Sequence, residues 1–149
     1  MKENIYCEKP FDPKEIITLD SGIFKGIPYL ILNFGIHPCA YIGVPSGSML
    51  TGMNIRNIPL RCHGGLTFGD YGDGIRPEGV YWLGWDYGHA GDYSGYLAHI
   101  CPNERKWSTE EILEEVKSVI WDFKDILIFV DEVTSALEQK MLSKIMQVK

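Results

Sequence analysis

The sequence lacks the features of nucleic-acid-tracking, membrane-embedded and zinc-ribbon proteins. Its 14 Lys and Arg against 20 Asp and Glu leave a net charge of −6, whereas a protein that follows a nucleic-acid polymer needs a dense positive surface. No apolar run approaches the roughly 20 residues of a membrane helix, and the first residues contain no apolar signal core. No two of the four Cys have metal-clip spacing. We expect a cytoplasmic protein with reduced thiols that binds neither a membrane nor a nucleic-acid polymer.

Several signatures of known active sites are missing as well. The chain contains no P-loop, no complete G-x-G-x-x-G after a strand, no H-E-x-x-H and no G-x-S-x-G. The run "GDYGDG" lacks the later Glu of a calcium-binding EF-hand, so we interpret Asp70 and Asp73 as turn residues. A single nucleotide or another small anion is still compatible with the sequence, because local donors are enough to hold it.

The order of the patterns indicates a single α+β domain. A chain of 149 residues has the usual size of one domain. We expect an irregular lead-in over 1–15, a small, mostly antiparallel sheet with Gly-rich loops over 16–105, and two helices over 106–149. Within the sheet, "YLILNF" and "CAYIGV" flank "GIHP" as in a hairpin, "LRCHGGLTF" indicates a strand broken by two Gly, and "VYWLGW" is a β-branched and aromatic strand.

The two helices are predicted from capping residues and apolar spacing. In "KWSTEEILEEVKSVIWDF", Ser108 and Glu111 form a capping box. An apolar stripe follows at helical spacing: Ile112, Val116, Val119, Ile120 and Phe123. The segment "ILIFV", residues 126–130, fits either a buried strand or a buried helix. The second helix is expected in "DEVTSALEQKMLSKIMQ", with these apolar residues on one side: Val133, Leu137, Met141, Leu142 and Ile145.

Two Gly-rich runs contain residues that a simple core would not need. "RCHGGLTFGDYGDG" and "YWLGWDYGHAGDYSG" together hold two His, four Asp and nine Gly. Asp86, His89 and Asp92 recur every three residues in a segment that two Gly make unsuitable for a helix. His63 lies near the end of the preceding strand. If the two strands pair, these four side chains converge on one polar pocket.

Histidine and aspartate in one pocket suit acid–base chemistry. Imidazole exchanges protons near neutral pH, so His63 and His89 could act as acid and base, with Asp86 or Asp92 orienting a ring or holding a metal. Residues expected to bind the ligand through amides, a hydroxyl and a stacking ring are Gly64, Gly65, Thr67 and Trp85. Neither a cofactor nor a metal requirement follows from these residues.

Each of these residues also has a purely structural interpretation. The two adjacent Gly form a β-bulge in that interpretation, and the two Asp accept hydrogen bonds from turn amides. The His residues and Trp85 then belong to the core, as Cys62 does. A catalytic pair of Cys62 with His63 is not expected, because neighbouring residues of a strand point to opposite faces.

The same residues resemble a widespread family of small phage and prophage proteins. The pattern of that family runs H-G-G-L-T and then G-F-D-x-A-H-x-G-D. The first part is matched by residues 63–67, and the second by Gly84, Asp86, His89, Gly91 and Asp92, with Trp85 in place of Phe and Gly88 in place of Ala. The resemblance covers residues 38–122. It implies a phage setting, and hence host interaction or counter-defence directed against a nucleotide signal.

Three functions are compatible with these observations. The first is a small hydrolase, such as a phosphodiesterase acting on a nucleotide-like molecule, with His63, His89, Asp86 and Asp92 as catalytic residues. The second is a protein that sequesters a small ligand without changing it. The third is an inhibitor that blocks a host protein with its acidic surface. The sequence leaves open whether copies of the chain form a homo-oligomer.

Overall fold

A computed structural model describes residues 16–93 and 104–147, so the expected lead-in over 1–15 lies outside the described residues. The elements follow in the order β1 (Ile17–Phe24), β2 (Ile27–Asn33), β3 (Pro38–Val44), a short 3₁₀ helix (Ile55–Asn57), β4 (Phe68–Tyr71), β5 (Tyr81–Asp86) and α1 (Thr109–Gln147). The strands form one antiparallel sheet in the order β1-β2-β3-β5-β4. The expected α+β class is confirmed.

Two of the predicted strand features are confirmed. β2 pairs with β3 around residues 34–37, with Leu32 opposite Cys39, which is the hairpin expected around "GIHP". The strand "VYWLGW" is β5, which lies between β3 and β4. Its side chains alternate as a strand requires: Tyr81, Leu83 and Trp85 pack on the α1 side, whereas Trp82 packs on the other.

The strand predicted across "LRCHGGLTF" is wrong over most of its length. Residues 58–67 form a turn and irregular chain, and the ladder with β5 begins only at Phe68. Gly64 and Gly65 both have positive φ, at 69° and 82°, which is incompatible with a continuous strand. His63 therefore lies in a turn before β4 and not at the end of a strand.

The two faces of the sheet are covered differently. α1 packs on one face through the predicted apolar stripe, whose five members are all buried: Ile112, Val116, Val119, Ile120 and Phe123. The connection between β4 and β5 covers the other face. There the Arg76 guanidinium lies 5.1 Å from the ring centroid of Tyr41 and 4.2 Å from that of Phe68. Trp82 Nε1 donates to the Pro77 carbonyl at 3.0 Å.

The start of α1 agrees with the predicted capping box. The Glu111 amide donates to Ser108 Oγ at 3.1 Å, and the Ser108 amide donates to Glu111 Oε1 at 2.9 Å. These reciprocal bonds satisfy amides that the first helical turn cannot pair. They fix where α1 begins relative to the sheet and to the residues that precede it.

The prediction of two C-terminal helices is wrong, because α1 continues without a break to Gln147. No Gly or Pro occurs between Thr109 and Gln147, so nothing in the segment ends the helix. The segment "ILIFV" continues this helix and is only partly buried: Ile126, Leu127 and Val130 pack against the core, whereas Ile128 and Phe129 are 57% and 65% exposed. No helix in the described part of the chain combines the length and apolar character needed to cross a bilayer.

Candidate functional site

The turn after β5 brings three of the expected site residues together. Asp86 is the last residue of β5, and its Oδ1 accepts the Gly88 amide at 3.0 Å. The Asp92 amide donates to the His89 carbonyl at 2.9 Å, and the His89 amide donates to Asp92 Oδ2 at 3.0 Å. As a result, His89 Nδ1 lies 3.5 Å from Asp86 Oδ1 and 3.7 Å from Asp92 Oδ2.

His63 reaches the same place from the turn before β4. Its Nε2 lies 2.7 Å from Asp92 Oδ2 and 2.9 Å from Asp92 Oδ1. The ring stacks on Tyr87 with centroids 4.7 Å apart and an 8° angle between planes, and it meets His89 edge-on at 5.8 Å. The structure therefore brings His63, His89, Asp86 and Asp92 into one cluster, which the sequence predicted.

Asp92 is the centre of this cluster. Its side chain is only 4% exposed, and it accepts hydrogen bonds from His63 Nε2, the His89 amide and, at 2.9 Å, Trp107 Nε1. Burial alone would raise the pKa of Asp92, but these hydrogen bonds outweigh it and hold the pKa below its ordinary value. Asp92 is therefore a buried anion that joins three parts of the chain.

Two aromatic residues, Tyr87 and Trp107, and one acidic residue, Glu115, complete the site, and the sequence did not predict them there. Trp107 binds Asp92 and meets His63 edge-on at 4.9 Å. Tyr87, on which His63 stacks, donates its hydroxyl proton to Glu115 of α1. Trp107 and Glu115 lie outside both Gly-rich runs, and no spacing in the sequence connects them to those runs. Tyr87 lies inside the second run, but nothing in the sequence distinguishes it there from an aromatic residue of the core.

Two of the expected ligand-binding residues have structural roles instead. Trp85 is 1% exposed, and its Nε1 donates to Glu115 Oε1 and to the Tyr87 hydroxyl, both at 3.1 Å, so its ring is not available to stack on a ligand. The Gly65 amide donates to the Cys62 carbonyl at 2.9 Å. That bond closes the turn and leaves the Gly65 amide unable to bind an anion.

Gly64 belongs to the site because its α-carbon packs against the His89 ring. A Cβ at this position would lie 2.2 Å from His89 Cε1, so only Gly lets the imidazole pack against the turn. Gly65 also has positive φ, yet a Cβ there would meet nothing within 4 Å. Glycine is therefore needed at the two positions for different reasons. Both have a left-handed backbone conformation, and Gly64 also lies against the His89 ring.

Gly64→Ala is expected to destabilise the protein by about 1 kcal/mol or more beyond the effect of Gly65→Ala. Both substitutions place a side chain in the left-handed backbone region, but only the first drives a methyl group into the His89 ring. Urea unfolding of the two variants measures the difference. Equal destabilisation would show that His89 does not pack on Gly64.

Thr67 connects the cluster to an open groove. Its hydroxyl donates to Asp86 Oδ2 at 3.1 Å. Thr67 also lines a cavity of about 540 Å³, with Met53, Asn54, Ile55, Asp70 and Tyr81 among the other lining residues. Ligand cavities are commonly about 300–1,000 Å³ in volume. A molecule in this groove would lie one side chain away from Asp86.

The cluster also offers metal ligands, but its geometry is that of a hydrogen-bonded pair. Ligand atoms of His63, His89 and Asp92 all lie within 4.8 Å of one another, and imidazole with carboxylate suits zinc and similar ions. Two ligands of a tetrahedral zinc ion are roughly 3.4 Å apart. His63 Nε2 and Asp92 Oδ2 are 2.7 Å apart, so a metal would have to separate them.

Comparison of the chain with models of protein families, with curated proteins and with solved structures finds no match. The resemblance to the phage and prophage family therefore stays a prediction from the sequence. The structure shows a contact between His63 and Asp92, one from each of the two Gly-rich runs.

Proposed function

We propose that the protein is a small hydrolase that acts on a small polar ligand. The observation that supports this most strongly is the pair of His63 with the buried carboxylate of Asp92. A carboxylate only accepts, so Nε2 of His63 carries a proton and Nδ1 of the neutral ring carries a lone pair. Among the described residues, no hydrogen bond engages Nδ1. His63 is accordingly the general base, and Asp92 fixes its orientation and tautomer.

His89 is the general acid in this proposal. Its Nδ1 has no hydrogen-bond partner among the described residues, although two carboxylates lie 3.5 and 3.7 Å away. When the ring is protonated, these contacts become ion pairs with Asp86 and Asp92. Hydrolysis needs both functions at one place, since one group accepts a proton from the attacking water while the other donates a proton to the leaving oxygen.

The groove beside Thr67 is the proposed binding site for the rest of the ligand. Its lining contains one ionisable acid, Asp70, together with Asn54 and Tyr81. Such a lining suits the hydroxyl groups and hydrogen-bond donors of a nucleoside more than a phosphate. A nucleotide-like ligand would then place its phosphodiester at the histidine end. We also propose that the protein is cytoplasmic, of phage type, and acts against a nucleotide signal.

Sequestration of a small ligand is the second candidate, and the rigidity of the site favours it. Asp92 is held by three donors, and His63 packs against both Tyr87 and Trp107, which also contact each other. A preorganised polar site binds tightly whether or not it catalyses a reaction. The two candidates use the same residues and differ in the fate of the ligand.

The deciding experiment mixes the purified protein with a panel of cyclic and linear nucleotides and nucleosides, with added divalent metal or with chelator. The expected result is turnover of at least one compound, retained in chelator, with the cleaved product identified by mass spectrometry. A compound that raises the melting temperature and is recovered unchanged would replace hydrolysis with sequestration. Turnover that is lost in chelator would replace the proposed base with a metal-bound water.

A further inference from the structure

The segment just before α1 runs beside the turn that carries Asp92. The Arg105 amide donates to the Gly91 carbonyl at 2.8 Å, and the Tyr93 amide donates to the Arg105 carbonyl at 2.7 Å. These two bonds make Arg105 the bridge partner of Asp92 in a parallel pair. Side chains of residues that face each other in such a pair leave the backbone on the same side. The Arg105 side chain therefore starts on the side where Asp92 meets His63.

The next two side chains alternate as this arrangement requires. Trp107 lies on the Asp92 side, where its Nε1 donates to Asp92 Oδ1 at 2.9 Å. Lys106 packs with Tyr93 instead, and its Nζ lies 4.4 Å from the centroid of that ring. Since neighbouring residues of an extended chain point to opposite sides, Arg105 and Trp107 belong to the side of the site and Lys106 to the other.

Contacts with two neighbours fix the Arg105 guanidinium beside the site. Its Cζ lies 3.6 Å from the ring centroid of Trp107, which is itself 4.9 Å from the ring centroid of His63. The guanidinium and the imidazole are therefore separated by no more than these two distances combined. Nη2 donates to Glu111 Oε2 at 2.6 Å, and the side chain is 56% exposed. Among the described residues, no hydrogen bond engages Nε or Nη1.

We propose that Arg105 binds the phosphate of the ligand, so that the substrates of the site are phosphate esters. This inference rests on the proposed hydrolase. An anion beside Asp86 and Asp92 needs a positive charge, because the two carboxylates repel it. Arg105 supplies that charge, and its planar fork of N–H groups matches the oxygen atoms of a phosphate. The contacts with Trp107 and Glu111 hold the fork in place before the ligand arrives, which lowers the entropy cost of binding.

Binding of inorganic phosphate tests the role of Arg105 without any turnover. Phosphate titrated into the wild-type protein is expected to shift the imidazole ¹H–¹⁵N signals of His63 or His89 and to give a dissociation constant. Arg105→Gln should raise that constant about 10–100-fold, because hydrogen bonds to a charged group are lost together with the charge. Arg105→Lys should have a smaller effect, since it keeps the charge and loses the fork.

Lys106→Gln is the matched control, because it removes the same charge from the other side of the segment. It should change the dissociation constant by no more than about twofold, since an exposed ammonium that faces away is screened by solvent and salt. The Arg105 side chain is more than half exposed, so both variants are expected to fold, and circular dichroism checks this. Equal effects of Arg105→Gln and Lys106→Gln would overturn the proposal, as would imidazole signals that do not respond to phosphate.

The same variants separate this inference from the hydrolase proposal. Phosphate binding that depends on Arg105, with no turnover of any compound in the nucleotide panel, would support the role of Arg105 and remove only the hydrolase. If a nucleotide is turned over, Arg105→Gln should raise its KM about 10–100-fold and Lys106→Gln should not. Turnover with the same KM in wild type and Arg105→Gln would support the hydrolase and overturn the role of Arg105.

Discussion

His63→Ala is expected to lower kcat/KM on the identified substrate by about 10²–10⁴-fold, the usual contribution of a general base. The imidazole that Asp92 orients would be missing, while the groove beside Thr67 would remain. The loss should therefore fall mainly on kcat, with little change in KM. Steady-state kinetics of the folded variant, checked by circular dichroism, measures both constants.

Two further variants separate a chemical role from a structural one. His63→Gln keeps a side chain that can hydrogen-bond Asp92 but cannot take up a proton, so it should be nearly as inactive as His63→Ala. Glu78→Gln removes an exposed acid outside the site and should leave the kinetics unchanged. Activity of His63→Gln within a few-fold of wild type would show that His63 only supports Asp92.

Asp92→Ala is expected to lower the free energy of unfolding by about 3 kcal/mol, the largest loss predicted for any single side chain of the site. Three donors would lose a buried acceptor: His63 Nε2, the His89 amide and Trp107 Nε1. Each buried donor left without a partner costs about 1–3 kcal/mol. For a chain of this length the melting temperature should fall by roughly 6–12 °C. Asp70, predicted as a turn residue, instead lies in β4 with an exposed side chain, and Asp70→Ala should shift the melting temperature by no more than about 2 °C.

The stabilisation by Asp92 should also depend on pH in a definite direction. The pKa of Asp92 is lowered in the folded protein, so its stabilisation is fully present above the ordinary value of 3.8. It is lost as the pH falls through the lower, folded-state pKa. Urea unfolding of wild type and Asp92→Ala should therefore differ most near neutral pH and converge in acid. A difference that grows as the pH falls below 4 would contradict a carboxylate held as an anion.

Local patterns predicted much of the fold and half of the site. The capping box at Ser108, the hairpin around residues 34–37 and the strand at β5 depend on neighbours in the sequence, and all three are present. The convergence of His63 with Asp92 could be expected, because His63 precedes one strand of the sheet and Asp92 follows another. Periodicity within a short window carries this kind of information.

The remainder depends on contacts between distant residues, which no short pattern records. Trp107 binds Asp92 from 15 positions away, and Glu115 binds Tyr87 from 28 positions away. Trp85 was expected near a ligand because aromatic residues occur in both pockets and cores. Only the structure, in which Trp85 is 1% exposed, shows that it belongs to the core. The single helix was missed because an apolar stripe does not reveal where the covering sheet ends.

The most direct test of the central claim is the tautomer of His63, read from long-range ¹H–¹⁵N correlations of the imidazole nitrogens. The orienting role of Asp92 requires that the neutral ring carries its proton on Nε2, and that Asp92→Asn abolishes this preference. We predict a resolved Nε2–H form in the wild-type protein and a mixture in the variant. A wild-type ring with its proton on Nδ1 would contradict the His63–Asp92 pair and the hydrolase proposal that depends on it.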